Sequence, residues 1–502
     1  MANSKKPKEE YEHTDNGIGG QYKTWFLDYA SYVILERAVP AIEDGLKPVQ
    51  RRILHAMKEM DDGRFNKVAN IIGQSMQYHP HGDASIGDAL VNLGQKDLLI
   101  ETQGNWGDVR TGDEAAASRY IEARLSKFAL EVAFNAKTTD WALSYDGRKN
   151  EPVTLPMKFP LLLAQGAEGI AVGLATKILP HNFCELIDAS IKYLRGKKFE
   201  ILPDFQTGGT MDASNYNEGV RGGKIRVRAI IEEQDKKTLV IKSVPFGVTT
   251  TQLMESIVKA NDQGKIKVKK VTDHTAAEVE IIVELAPGIS PDITIDALYA
   301  FTDCEVSISP NTCVIVKDKP QFLKVSDLLK TATDNTKELL KRELEIKLAE
   351  LYEKWHFTSL EKIFFEEKIY KELEKKHETW DKVLEAIDKA FTPFKKLLKR
   401  DITREDIIKL TEKPVRRIYK LDIDDLIEQI KGLEDDIKQV KFDLDNLTDF
   451  AVAYYENLLK KYGKGRERKT EIKQFDVIQA KSVAIANIKI YANFADGFIG
   501  TG

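Results

Sequence analysis

Apolar residues stand at Ile423, Leu426, Ile430, Leu433, Ile437, Val440, Leu444 and Leu447, at intervals that alternate between three and four. That is a heptad seam, continued loosely by Ala451, Tyr454 and Leu458. A second stripe lies upstream at Leu340, Leu344, Leu348, Leu351 and Trp355. Mixed helical sequence containing Pro393 and Pro414 separates the two. The spacing predicts an antiparallel coiled coil within the chain, closed by a small helical cap. Two amphipathic helices of an ordinary bundle would carry the same stripes.

Toward the N-terminus the periods shorten. A helix starting at Pro48, the favoured first-turn position, sets Val49, Ile53, Ala56, Met57 and Met60 on one face. Arg51, His55 and Lys58 fall on the other face, with Arg52 at the border. Val68, Ile71, Ile72 and Ser75 mark a second helix. Asp83 is placed to cap a third, which buries Ile86, Ala89, Leu90 and Leu93. The link between the second and third is Tyr78-His79-Pro80-His81-Gly82, which makes a helix-turn-helix pattern. Residues 151–330 hold strand-like runs such as Thr238 to Ile241 and Val279 to Glu284, punctuated by Gly and Pro.

The fold expected is a multidomain α+β chain. Its parts are a flexible polar tail (1–24), a helix-turn-helix or winged-helix domain (25–150) and a β-rich tower (151–330). A coiled coil with a helical cap follows (331–484), and residues 485–502 read as the start of a C-terminal domain cut short.

Composition narrows the function. Lys plus Arg number 75 against 79 Asp plus Glu, so a nucleic-acid binder of this balance must cluster its basic residues locally. Three cysteines (Cys184, Cys304, Cys313) without C-x-x-C spacing give neither a disulfide framework nor a structural zinc site, and fit a reducing, cytoplasmic setting. The most apolar stretch, Leu155 to Pro180, carries Lys158, Gln165, Glu168 and Lys177, and no membrane span is expected.

Two segments carry candidate chemistry. His79 and His81, with Asp83, offer metal-ligand spacing, but two imidazoles in a stiff turn also suit phosphate contact, proton transfer or a purely structural turn. Further on, a Gly-rich loop from Gly107 leads through Ala115-Ala116-Ala117-Ser118 to Arg119-Tyr120, with a helix expected next. A guanidinium beside a phenol favours the phenolate and stabilises charge on a phosphoryl group under attack, which makes Tyr120 a candidate nucleophile. A tyrosine packed at a helix start is the plainer reading of the spacing.

Taken together, four motifs resemble the A subunit of bacterial type IIA DNA topoisomerases. They are Arg37-Ala38-Val39-Pro40 through Asp44-Gly45-Leu46-Lys47-Pro48-Val49-Gln50-Arg51-Arg52, then Tyr78 to Asp83, then Arg119-Tyr120 with Glu122, Arg124 and Leu125, and Gly169 to Thr176 followed by Pro180-His181-Asn182. The similarity covers nearly the whole chain in order. Within the family it leans toward topoisomerase IV, with gyrase the alternative.

The resemblance implies roles. Tyr120 attacks a DNA phosphodiester and becomes linked to the 5′-phosphate, and Arg119 stabilises that phosphate. His79, His81 and Arg37 line the same site. Lys47, Arg51 and Arg52 contact the DNA backbone, and Ile178 is the wedge that enters between base pairs. Ala84 and Asp88 belong to the quinolone pocket. Ala84 replaces a serine common in relatives, so reduced drug sensitivity is expected. Gln50 stands where relatives often carry histidine, and Leu179 where they often carry proline.

Asp443-Leu444-Asp445 and Asp422-Ile423-Asp424 match the family's metal motif in letters only, and no phosphate-binding G-x-x-x-x-G-K-[ST] loop is present. Mg2+ and ATP are therefore expected on a partner ATPase/toprim subunit, in a heterotetramer built on a homodimer of this chain and acting on double-stranded DNA. The resemblance makes the helical cap a dimer gate. A non-catalytic DNA-organising dimer is the rival reading.

Overall fold

A computed structural model describes residues 18–412, 423–476, 478, 491–493 and 498–500. Helices and strands are mixed throughout, in an α+β arrangement. The chain divides into two compact units. One comprises Met1–Asn135, Thr139–Asn335 and Tyr455–Gly502; the other comprises Ala136–Thr138 and Thr336–Tyr454.

Among the described residues the first unit opens with α1 (Ile18–Val33), so helix covers the end of the stretch expected as tail, whose first 17 residues lie outside the described ones. A single π-helical turn, Ile34–Ala38, follows. Three helices come next: α2 (Pro48–Glu59), α3 (Val68–Ser75) and α4 (Asp83–Gln95). They pack with a three-stranded antiparallel sheet of β1 (Asn66–Lys67), β2 (Ile100–Gln103) and β3 (Glu122–Leu125), in the order β1-β3-β2.

Pro48 opens α2 as expected, and the Gln50 side chain accepts the Lys47 backbone N–H at 3.0 Å, closing the first turn. The expected solvent face of α2 is corrected. Arg51 is buried against Asp44, and His55 is buried where a hairpin of β4 (Trp141–Leu143) and β5 (Asn150–Pro152) covers that side. The Trp141 ring meets His55 edge-on at 5.6 Å. Asp83 is the first residue of α4 rather than its cap, a place held by Gly82.

Farther along lies a tight hairpin of β6 (Ala167–Ile170) and β7 (Ala175–Ile178), with Ala167 paired to Ile178 and Ile170 to Ala175. Two four-stranded sheets follow. In one, Thr238–Ile241 pairs with Ile281–Leu285, the two runs whose β-branched content marked them in the sequence. In the other, Glu471–Ile472 adds parallel to Thr210–Asn215, so a late segment of the chain returns to an early strand. Each sheet backs a separate apolar core, one around Met211, Ile225, Val227 and Leu329, the other around Leu239, Ile257, Ile281 and Leu298.

In the second unit the two sequence stripes face each other. Leu344, Leu351 and Trp355 pack with Ile437 and Val440, flanked by Leu348, Ile430, Leu433, Leu444 and Leu447. The helices run antiparallel: the Trp355 indole N–H donates to Glu434 at 3.1 Å, while Lys337 reaches Thr448 at 2.8 Å. A second cluster, centred on Leu360, Phe364, Ile387, Phe391 and Leu410, makes a separate helical core. Pro414 and the side chain of Ile423 lie outside the described residues. So does nearly all of 485–502, apart from the paired strands Tyr491–Asn493 and Phe498–Gly500.

Candidate functional site

Tyr120 lies on a turn rather than at a helix start, and the element that follows it is β3, not the expected helix. Its backbone N–H donates to Ala117 at 2.8 Å. On either side of it, the carbonyls of Ser118 and Ile121 accept the N–H groups of Ala69 and Val68, so the turn is fastened to the free N–H groups at the start of α3. The phenol is 63% exposed. The Arg119 guanidinium sits over its ring, 4.5 Å from the centroid, a position that brings permanent positive charge alongside an accessible hydroxyl.

A cleft of about 1140 Å³ opens elsewhere in the same unit. Arg37, Lys47, His79, His81, Asp88 and Ile178 are among its lining residues, whereas Tyr120, Arg119, Arg51, Arg52 and Ala84 are not. Arg37 comes from the π-turn and the histidines from the α3–α4 connection. The rings of His79 and His81 meet edge-on at 4.7 Å. The Tyr32 hydroxyl lies 2.7 Å from His81 Nε2. Burial, aided by the charges of Arg52, His81 and Arg37, pushes His79 down to about 4, so it is neutral at physiological pH. Ala84 and Asp88 lie four residues apart on α4, both exposed, and therefore share one face.

Two residues expected at the DNA backbone are paired within the chain. The Arg51 guanidinium is buried and holds Asp44 through Nε at 2.6 Å and Nη2 at 3.0 Å. Arg52 forks onto Glu151 at 2.6 and 3.1 Å and reaches His79 Nδ1 at 3.3 Å. Both guanidiniums are thus engaged by carboxylates of the same chain. Ile178 is 3% exposed within an apolar core, while Ile170, at the far end of β6, is 83% exposed. Both side chains line the cleft.

Lys47 does reach the cleft, but its ammonium donates to the Glu168 carbonyl at 2.6 Å. Lys96, which no motif marked, donates to the Gly166 carbonyl at 3.4 Å. Burial lowers the Lys47 ammonium and, with Lys47 nearby, brings Lys96 down to about 8. Tyr32, Lys96 and Glu151 stand in no spacing that singles them out in the sequence. Among the described residues, no grouping of three or more His, Cys, Asp or Glu side chains is arranged to hold a metal ion. None of the described helices is long and apolar enough to cross a membrane.

Comparison with known proteins gives the class. Residues 37–458 match the family model for the A subunit of DNA gyrase/topoisomerase IV. The chain is 44% identical over 476 residues to the A subunit of DNA topoisomerase 4 from Borreliella burgdorferi, covering 95% of this chain and 76% of that protein. It is 37% identical to a DNA gyrase A subunit from Lawsonia intracellularis and 34% to one from Staphylococcus aureus, spanning 43% and 42% of their lengths. The chain belongs to the family of DNA gyrase and topoisomerase IV A subunits. These are components of type II DNA topoisomerases, isomerases that cleave and religate DNA.

Proposed function

We propose that this chain is the DNA breakage–reunion subunit of a topoisomerase IV, with Tyr120 as its nucleophile. The observation that carries the reading is an exposed tyrosine on a turn fastened to a helix start, under a stacked arginine. The Tyr120 hydroxyl attacks a phosphodiester. A Tyr120 oxygen–phosphorus bond forms, the bond from phosphorus to the 3′ oxygen breaks, and that oxygen leaves as a hydroxyl carrying a proton. Resealing reverses the exchange without added energy, because no bond has been hydrolysed. Arg119 steadies charge on the phosphate.

Tyr120 does not line the cleft that holds His79, His81 and Arg37. We read the working site as assembled between two copies of the chain, one giving the tyrosine and the other the cleft. Ile178, at the cleft, is the wedge that enters between base pairs, with the more exposed Ile170 of the same hairpin as its rival for that role. The helices and sheet of 25–150 act as the winged-helix DNA-cleavage domain and the sheets of 151–330 as the tower. The paired long helices act as a coiled coil carrying the dimer gate. Divalent metal and ATP come with the ATPase/toprim partner, in a heterotetramer. The higher identity to a topoisomerase 4 protein favours that branch over gyrase.

The test mixes the chain with its active ATPase/toprim partner, magnesium and end-labelled duplex, then quenches with detergent. A 5′-linked adduct in the wild type and none with Tyr120→Phe is expected. DNA binding without adduct in either would support a DNA-organising dimer instead. ATP-driven negative supercoiling of relaxed plasmid would move the assignment to gyrase.

A further inference from the structure

His79 is held by a fork whose chemistry leaves only one arrangement of protons. Arg52 directs Nε and Nη2 at the two Glu151 oxygens, 2.6 and 3.1 Å away, and both side chains are largely shielded from water. Its remaining nitrogen, Nη1, lies 3.3 Å from His79 Nδ1. A guanidinium has donors and no acceptor, and it stays protonated in proteins. The contact therefore runs from Arg52 N–H to a lone pair on His79 Nδ1. A neutral imidazole that accepts at Nδ1 carries its hydrogen on Nε2.

We propose that Glu151 is a positioning residue: acting through Arg52, it fixes His79 as an Nε2–H hydrogen-bond donor in the cleft. So fixed, His79 has no free lone pair, and it cannot be the base that takes the Tyr120 proton. Its part is to donate a hydrogen bond to an oxygen of the phosphate under attack. Proton transfer then falls to His81 or to water. Around His79 stand Arg37, Arg52 and His81, all of which oppose its protonation, and Glu151 reaches it only through Arg52.

The role in catalysis rests on the reading proposed above, whereas the tautomer does not, so the two are tested separately. Full-length chain carrying 15N-histidine is measured without DNA at neutral pH, with His79→Gln assigning the signal. A neutral ring protonated at Nε2 is expected. Glu151→Gln, which keeps shape and removes charge, is expected to mix the tautomers. With the ATPase/toprim partner present it should slow adduct formation about tenfold while leaving DNA affinity unchanged.

Arg52→Lys keeps the charge but cannot fork, and should do the same. It serves as the second variant if Glu151→Gln melts early. A wild-type His79 protonated at Nδ1, or a tautomer indifferent to both variants, overturns the proposal. Absence of any adduct in the wild type would count against the cleavage reading while leaving the tautomer result standing.

Discussion

The backbone of Gly169 lies against the carbonyl of Ala38, so close that a β-carbon at Gly169 would sit 2.0 Å from the oxygen. Ala38 ends the π-turn that carries Arg37, and Gly169 belongs to the strand that ends in Ile170. The cleft arginine and the exposed isoleucine are thus seated on each other by main-chain contact. Lys47, bonded to the neighbouring Glu168 carbonyl, adds a second tie.

Gly169→Ala should be poorly tolerated, since backbone rather than a flexible side chain must yield. Overpacking of this kind costs about 1–3 kcal/mol. Urea denaturation checks it, with adduct yield measured alongside. A variant as stable as the wild type would show that the hairpin rides freely on the π-turn.

Ile170 and Ile178 should separate function from stability. Ile178→Ala removes a buried side chain and should cost about 2–4 kcal/mol. Ile170→Ala removes an exposed one, so stability should change by less than about 0.5 kcal/mol. If Ile170 is the wedge, that same variant should lower DNA bending, read by fluorescence transfer between labelled duplex ends. Unchanged bending with Ile170→Ala would leave Ile178 as the wedge.

Arg51 and Asp44 form a buried ion pair, and Asp44 also accepts the backbone N–H groups of Leu46 and Leu155, each at 3.0 Å. Arg51→Met strands that carboxylate and should destabilise the fold by about 3–5 kcal/mol. Adding Asp44→Asn should recover part of the loss. The salt dependence of DNA binding should stay the same, because the Arg51 guanidinium is already held by Asp44. A slope reduced by about one would restore it as a DNA contact.

What the sequence made legible follows the range of each signal. The stripes from Leu344 to Trp355 and from Ile430 to Leu447 were readable because a helix writes its packing face into its own local period. The α2 face was misread because its cover comes from Asp44 and from the hairpin at Trp141–Pro152, which no local period records. Ile170 and Ile178 are equally apolar, and which one points outward depends on a hairpin register that spacing does not contain. Tyr120 and Arg119 were candidates from a guanidinium beside a phenol, but Arg-Tyr before an apolar run is common, and only the resemblance to a family outweighed the plainer packing reading. Glu151 lies on a short hairpin far from His79 in sequence, and its link to the site appears only when the chain is folded.

Acid should weaken this fold before its carboxylates titrate. His181 is buried: its Nδ1–H donates to the Leu163 carbonyl at 3.3 Å, and its Nε2 lies 3.2 Å from the Tyr216 hydroxyl. Burial holds His181, like His79, down to about 4, and it lowers His55 and His356 as well. In the unfolded chain each takes up its proton near pH 6.5. Between about pH 6.5 and 4 the unfolded state therefore binds protons that the folded state refuses, so stability falls as pH falls through that window and levels off above it. Glu43, whose carboxyl burial raises, works in the opposite sense, one group against four. Each fully refused proton contributes about 1.4 kcal/mol per pH unit. Urea denaturation at pH 7.5, 6 and 5 should show the decline. His181→Asn, whose amide can still donate to Leu163, should lower stability at pH 7.5 yet flatten the slope by about one proton. A wild-type stability that stays level from pH 7.5 to 5 would mean that these histidines charge freely in the folded chain, and that the cleft around His79 is wetter than its packing indicates.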